Sequence, residues 1–271
     1  MKVREVSCST ALSPTGLPGL DYALNPYRGC SVGCVYCYAP SVLREERPWG
    51  RFVDVKRNIP AVLAKELRRK ASGTVGLGTV TDGYQPLEAR YRLTRYCLEQ
   101  LARFDFPVSV QTKSSLVLQD IDLLQRIADV EVGVTVTTMD EAMRRRFEPF
   151  SSPTERRLET LRRLNEAGVR TWAFLGPVLP GVTEATLEPL VRGIVEAGTR
   201  HLLFDRLRFQ TGVWDRTEPA ARDAGLEGPF ARARDEPGSF GLLESRIRAL
   251  GRALGLVVEA AFPMGWGVKP S

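Results

Sequence analysis

Beyond about residue 40 the chain alternates short runs of β-formers with helical runs, one pair about every 30 residues. Residues 59–70 read as an amphipathic helix after Asn58, with Pro60 in its first turn. Residues 74–80, 108–112, 130–138, 169–175 and 201–209 read as strands. The helices between them fall at 93–104, 118–128, 153–167 and 184–197, with Gly168 and Gly198 standing where helix C-caps belong. A helix over 242–254 and a terminal strand over 256–260 complete the series. Repeated strand–helix–strand units force parallel pairing. About six of them predict an α/β fold, a partial (βα)6 TIM-like barrel, rather than an open doubly wound sheet. Chemistry in such barrels gathers at the C-terminal ends of the strands, which places 79–86, 112–114, 137–138 and 176–181 around one rim. Residues 210–240 contain Gly and Pro without a clean period and read as a lid or a surface excursion. The chain reads as one domain over 1–271, with a core over about 22–210 and a C-terminal extension over about 211–271.

Charge and composition bound the partners. No apolar run approaches the ~20 residues that cross a bilayer, and the N-terminal MKVREVSCST lacks a signal peptide's apolar core. The expected place is the cytoplasm, with no membrane. Lys and Arg number 38 against 32 acidic residues, a net charge of +6. Basic runs such as Arg68-Arg69-Lys70, Arg144-Arg145-Arg146 and Arg156-Arg157 suit a nucleic acid or another anionic partner. Interleaved Glu and Asp favour the plainer reading, solvated helix faces. A single histidine, His201, removes Ser/His/Asp triads and most histidine metal sites. Gly76-x-Gly78 is followed by Thr81 where a dinucleotide loop needs Gly, so it reads as close backbone approach at a strand.

Five cysteines are present, three of them within Asn25-Pro-Tyr-Arg-Gly-Cys30-Ser-Val-Gly-Cys34-Val-Tyr-Cys37-Tyr38. An odd count, so clustered, is no disulfide framework of a secreted domain. Thiols at C-x3-C-x2-C spacing can converge on one inorganic body while Gly29 and Gly33 permit positive-φ turns around it. Three thiolates on a cubane [4Fe–4S] cluster leave one iron open to chelate a ligand. Structural zinc wants a closed tetrahedral shell, and its fourth ligand here would have to be Cys8, Cys97 or His201. Cys97 has helical spacing and reads as a buried apolar residue; for Cys8, disorder and approach to the cluster stay open.

The cysteine spacing followed by a βα-repeat chain resembles the radical S-adenosylmethionine (SAM) superfamily, from Asn25 to about residue 260. Within it, the chain looks like the spore photoproduct lyase-like branch. The residues carrying this are Asn25-Pro-Tyr-Arg-Gly-Cys30, Thr79-Val-Thr-Asp-Gly-Tyr-Gln-Pro-Leu-Glu88, Thr112-Lys-Ser-Ser-Leu-Val-Leu-Gln-Asp120, Glu148-Pro149 and Pro177-Val-Leu-Pro-Gly181. The resemblance implies a [4Fe–4S] cluster on Cys30, Cys34 and Cys37, and SAM on its open iron. It also implies a one-electron donor such as flavodoxin or ferredoxin. Reductive cleavage of SAM would give a 5′-deoxyadenosyl radical that abstracts hydrogen from a substrate, with nucleic acid the first expectation and a peptide the second. Carried over by position, Lys113 matches a site near the SAM carboxylate or ribose, and Thr135 and Thr137 match small polar SAM contacts. Tyr36 and Asp82 are further cofactor candidates, Asp82 with the alternative of tying its loop. Tyr36, Tyr38 and Tyr84 are the candidate catalytic residues. One departure stands out: Thr79 occupies the position where spore photoproduct lyase has a hydrogen-donating cysteine. Arg206 and Arg208 alternate with Leu207 and Phe209, so both arginines would face the lumen if the apolar pair faces the helices, or Arg208 would pair with Asp205. The rival class is a zinc-stabilised nucleic-acid-binding protein without catalysis.

Overall fold

The computed structural model describes residues 1–262. Its strands are β1 (Lys2–Val6), β2 (Leu12–Pro14), β3 (Tyr22–Leu24), β4 (Tyr27–Arg28), β5 (Phe52–Lys56), β6 (Val75–Leu77), β7 (Val108–Thr112), β8 (Val130–Thr135), β9 (Arg170–Val178), β10 (His201–Arg206) and β11 (Val257–Ala260). Eight of them form one sheet in the order β2-β3-β6-β7-β8-β9-β10-β11. All neighbours pair in parallel except β2 with β3. Strands β6 to β11 are thus the six parallel strands expected from the sequence, and β3 adds a seventh at the start of the series. Among the described residues the two edges, β2 and β11, do not pair, so the barrel stays open. A second sheet, β1-β5-β4, lies beside the segment that carries the cysteines.

Alternation along the strands sorts the two faces. Val108 and Val110, Val132 and Val134, Ala173 and Leu175, and Leu202 and Phe204 join one hydrophobic core. That core also holds Leu161 and Leu164 of helix Thr154–Glu166 and Leu190, Val191 and Ile194 of helix Leu187–Glu196. The other face, with Ser109, Gln111, Glu131, Gly133, Thr135, Trp172 and Phe174, therefore lines the concave side. Gly133 pairs with Trp172 across β8 and β9, and a Cβ there would stand 2.2 Å from the indole. Glycine is what lets that indole lie across the strand. Gly78 serves likewise on the β6 loop: its φ is +94° and a Cβ would meet the Gln111 carbonyl at 2.3 Å, the close approach expected for this pair of glycines.

The structure departs from the sequence reading where patterns are short or broken. Strands β1 to β5 went unassigned, because β2, β3 and β4 have only two or three residues and β1 is largely exposed. The helix expected over 118–128 is a 3-10 turn at Ser115–Asp120 followed by one α-turn at Ile121–Leu124. Residues 210–240 contain two helices, Val213–Asp223 with Pro219 inside it and Glu227–Asp235. Strand β8 ends at Thr135 and β10 at Arg206, short of the expected 138 and 209.

Strand β4 leads into the cysteine segment and is pinned from below. The Tyr27 hydroxyl donates to Glu88 Oε2, and the Arg95 amide donates to Glu88 Oε1 at 3.2 Å. Burial pushes the Glu88 carboxyl up to about 7, against the pull of these donors. Its contribution to stability is fully present below the ordinary value of 4.5 and is lost as pH rises through about 7. Urea unfolding should therefore weaken by up to about 3 kcal/mol between pH 5 and 8 from this group, and Glu88→Gln should flatten that part of the profile. Gly133→Ala should destabilise the fold by about 1–3 kcal/mol through overpacking. A Gly133→Ala/Trp172→Leu pair should recover part of that loss in a double-mutant cycle.

Candidate active site

The cysteine loop runs from β4 to helix Ala39–Leu43. Its two turns are the positive-φ glycines anticipated from the sequence, Gly29 at +84° and Gly33 at +67°. A Cβ on Gly29 would stand 2.5 Å from the Phe52 carbonyl, so no larger residue fits that turn. Cys30 and Cys34 are buried, Cys37 is half-buried, and all three are free thiols. Burial pushes each up to about 12, and each also feels the charge of another of the three. The amides of Asp82 and Val32 donate to the Cys30 sulfur, and the amide of Ala39 to that of Cys37.

The segment after β6 cradles this loop. Gln85 Oε1 accepts from the Ser31 amide at 2.8 Å, and Thr81 Oγ1 donates to the Gly29 carbonyl at 2.8 Å. Asn25 Nδ2 donates to Thr79 Oγ1 at 2.9 Å, while the Tyr38 hydroxyl donates to the Thr79 carbonyl. Asp82 ties its own loop to the end of β7, accepting from Tyr84 N at 2.9 Å, Thr112 Oγ1 at 2.7 Å and Lys113 N at 2.8 Å. That is the loop-tying role weighed for Asp82. Tyr84 is wholly buried, and its hydroxyl donates to Asp120 Oδ2 at 3.1 Å, away from the concave side.

On the opposite flank stands a carboxylate the sequence reading gave no role. Glu148 is completely buried and accepts from the Tyr36 hydroxyl, from Thr137 Oγ1 at 3.1 Å and from Arg157 Nη2. Arg157 is itself completely buried and donates to the Thr135 carbonyl at 2.9 Å. Burial pushes the Glu148 carboxyl up, but Arg157, Lys113 and the Tyr36 hydroxyl outweigh it and hold it below its ordinary value. Lys113 Nζ stands 5.8 Å from the Tyr36 ring centre, and its charge favours the thiolates of Cys34 and Cys37. Thr137 thus joins Tyr36 through Glu148. Thr135 lies on the concave face with a buried hydroxyl that has no partner among the described residues, as does the Trp172 indole N–H.

Two sequence readings need correction. Arg144 and Arg157, counted among solvated basic runs, are buried struts; Arg144 Nη1 donates to the carbonyls of Glu148 and Ser151, each at 2.9 Å. Arg206 and Arg208 do not share an inward face, because β10 stops at Arg206, which is exposed. Arg208 Nε donates to Asp205 Oδ2 at 2.9 Å, the ion pair weighed as its alternative. The sequence signals for Glu148 and Gln85 were present in the motif segments that carried the resemblance. Arg157 had none, since a buried helical arginine looks like an exposed one in sequence.

A cluster or a metal ion would find only sulfur ligands here. Among the described residues no three His, Cys, Asp or Glu side chains gather closely enough to hold a single metal ion. Three thiols leave a zinc shell one ligand short, whereas three thiolates on a cubane leave one iron open. Of the spare zinc ligands, Cys8 packs half-buried against the main core, Cys97 is sealed in it, and His201 Nε2 lies 2.7 Å from Glu259 Oε2.

Comparison with known proteins agrees with this arrangement. The family model described as the radical SAM superfamily matches residues 24–194, more than half of the chain. An uncharacterized protein of Methanocaldococcus jannaschii is 32% identical over 186 residues, covering 68% of this chain and 70% of that protein. One of Mycobacterium tuberculosis is 34% identical over 217 residues, and the match covers 72% of this chain and 62% of that protein. A protein of Pseudomonas phage M6 named radical SAM Nalpha-GlyT isomerase is 25% identical over 181 residues, covering 66% of this chain and 38% of the phage protein. Among solved structures, spore photoproduct lyase complexed with dinucleoside spore photoproduct superposes with a TM-score of 0.74 at 17% identity, over 96% of this chain and 82% of that one. At that identity the likeness is one of fold. The family match, and the residues it spans, place the chain in the radical SAM superfamily, as a radical SAM enzyme.

Proposed function

We propose that Cys30, Cys34 and Cys37 hold a [4Fe–4S] cluster whose fourth iron binds SAM on the concave side of the open barrel. The observation that carries this is the set of three free thiols, two buried and one half-buried, on a glycine-turned loop, with Cys97 sealed in the main core and His201 beside Glu259. A cluster held there would supply the electron for reductive cleavage of SAM. The protein's own residues do the rest. Lys113 offers a cation to the carboxylate of the methionine moiety. The unpartnered hydroxyl of Thr135 and indole N–H of Trp172 offer polar contacts from the strand face. Tyr36 stays a donor, because burial pushes its hydroxyl up and Glu148 takes its hydrogen bond. The apolar cover of the cysteine loop, which includes Phe147, Leu179, Val213 and Phe230, excludes water.

The substrate we propose is a nucleic acid. Support comes from the net charge of +6 and from the fold shared with a lyase solved with a dinucleoside photoproduct. Repair of that lesion by the lyase's own route is not proposed, because Thr79 stands where a thiol donor would be needed. Its hydroxyl is bonded to Asn25, and a hydroxyl is a far poorer hydrogen-atom donor. The electron would come from a small redox protein such as flavodoxin or ferredoxin.

Anaerobic reconstitution should give a brown protein with about four irons per chain that makes 5′-deoxyadenosine from SAM after reduction. Cys34→Ala should abolish that product; a colourless protein carrying one zinc would favour the non-catalytic rival. With deuterated DNA, RNA and peptide offered in parallel, deuterium should enter 5′-deoxyadenosine from a nucleic acid, and uptake from peptide alone would refute the substrate assignment.

A further inference from the structure

The two helices at Val213–Asp223 and Glu227–Asp235 lie on the cysteine loop, and one of their residues reaches past the apolar contacts. Arg216 Nη2 donates to the carbonyl of Cys37 at 2.6 Å. Its Nε is buried and has no partner among the described residues. No carboxylate lies within ion-pair distance of it among those residues, although almost every other buried or half-buried arginine beside the loop has one. Arg28 and Arg47 hold Glu45, and Arg157 holds Glu148. A guanidinium taken from water without an anion is costly, and the cost is offset only where an opposite charge arrives.

The geometry points to Arg216 as a positioning residue for the cluster: it is the cation that the C-terminal extension sets against Cys37, and it makes the bound cluster easier to reduce. This rests on the cysteine ligation proposed above. Three thiolates on a [4Fe–4S] cluster leave it anionic, and reduction adds one more negative charge. A fixed positive charge beside one ligand favours the reduced state. The interaction is partly shielded from water, because the helix that carries Arg216 also places Val213 and Ala221 in the apolar cover. The extension would then be part of the electron-accepting machinery. Lys113 supplies a second positive charge from the strand side, near Cys34 and Cys37. It is open to SAM, whereas Arg216 is tied to the Cys37 backbone.

The test is a redox titration of the reconstituted protein without SAM, followed by EPR of the reduced cluster, on wild type, Arg216→Gln, Arg216→Lys and a control, Arg222→Gln. Arg222 lies on the same helix but is exposed and paired with Glu218. At a fixed potential near the wild-type midpoint, Arg216→Gln should lower the ratio of reduced to oxidised cluster on the order of tenfold, equivalent to about 59 mV for one electron. Arg216→Lys and Arg222→Gln should stay near wild type. Should Arg216→Gln lose its cluster, Arg216→Lys decides: a wild-type potential supports the role of charge, and a shifted one overturns it. A loaded Arg216→Gln protein with the wild-type potential, changed only in its affinity for SAM, also overturns the inference. Failure of wild type itself to take up about four irons would instead bring down the cysteine assignment, and this inference with it.

Discussion

The buried pair of Glu148 and Arg157 is the interaction around which the site is organised. Two charges removed from water cost several kcal/mol each, and their attraction offsets this only when the remaining donors and acceptors are also satisfied. Here they are. Glu148 accepts from Tyr36, Thr137 and Arg157, while Arg157 also donates to backbone carbonyls at Thr135 and Ser152. One carboxylate thus joins the cysteine loop through Tyr36, the segment just past β8 through Thr137, and helix Thr154–Glu166 through Arg157. Loss of either partner would leave an unpaired charge in the wall of the site. The shape of the loop is tied in this way to the register of the sheet.

The chain keeps two apolar assemblies with different duties. The larger lies between the outer face of the strands and the helices and holds the barrel together. The smaller contains Cys30 and Cys34 with Phe147, Leu179, Leu207, Val213 and Phe230, drawn from the cysteine loop, the strand ends and the C-terminal helices. Phe147 and Phe230 stack with ring centres 5.4 Å apart, joining the barrel half to the extension. The thiols are therefore desolvated by a layer shared between the barrel's helix Glu141–Phe147, the strand ends and the C-terminal helices. Desolvation favours their neutral form.

The parts of the fold that showed in the sequence are those with a sustained period. Strand β7 was bounded correctly because valines at 108 and 110 alternate with polar residues, and helix Thr154–Glu166 because its apolar stripe ends at a glycine. Strand β3 has three residues, too few to display a period, though it is the first strand of the barrel. The helix Val213–Asp223 was obscured by Pro219 in its interior. In the site, the cysteines and their glycines were legible because sulfur spacing and turn chemistry are local. Only the turn bond of Asp82 to the Tyr84 amide is local in that sense; its partners Thr112 and Lys113 meet it through the pairing of β6 with β7.

What the sequence alone determined is the cysteine spacing and the order of the units: three thiols at a spacing that can wrap one inorganic body, followed by strand–helix pairs that must pair in parallel. Those are properties of neighbours along the chain. The tertiary structure decided which face of each strand is concave, which arginines are buried, and what covers the thiols. Alternation defines two faces without saying which one the helices will cover, and Arg157 and Arg162 have the same chemistry on the same helix. Only packing distinguishes the first, sealed against Glu148, from the second, paired with Glu159 in solvent. Burial is a property of the whole chain, and so is the environment in which those thiols must work.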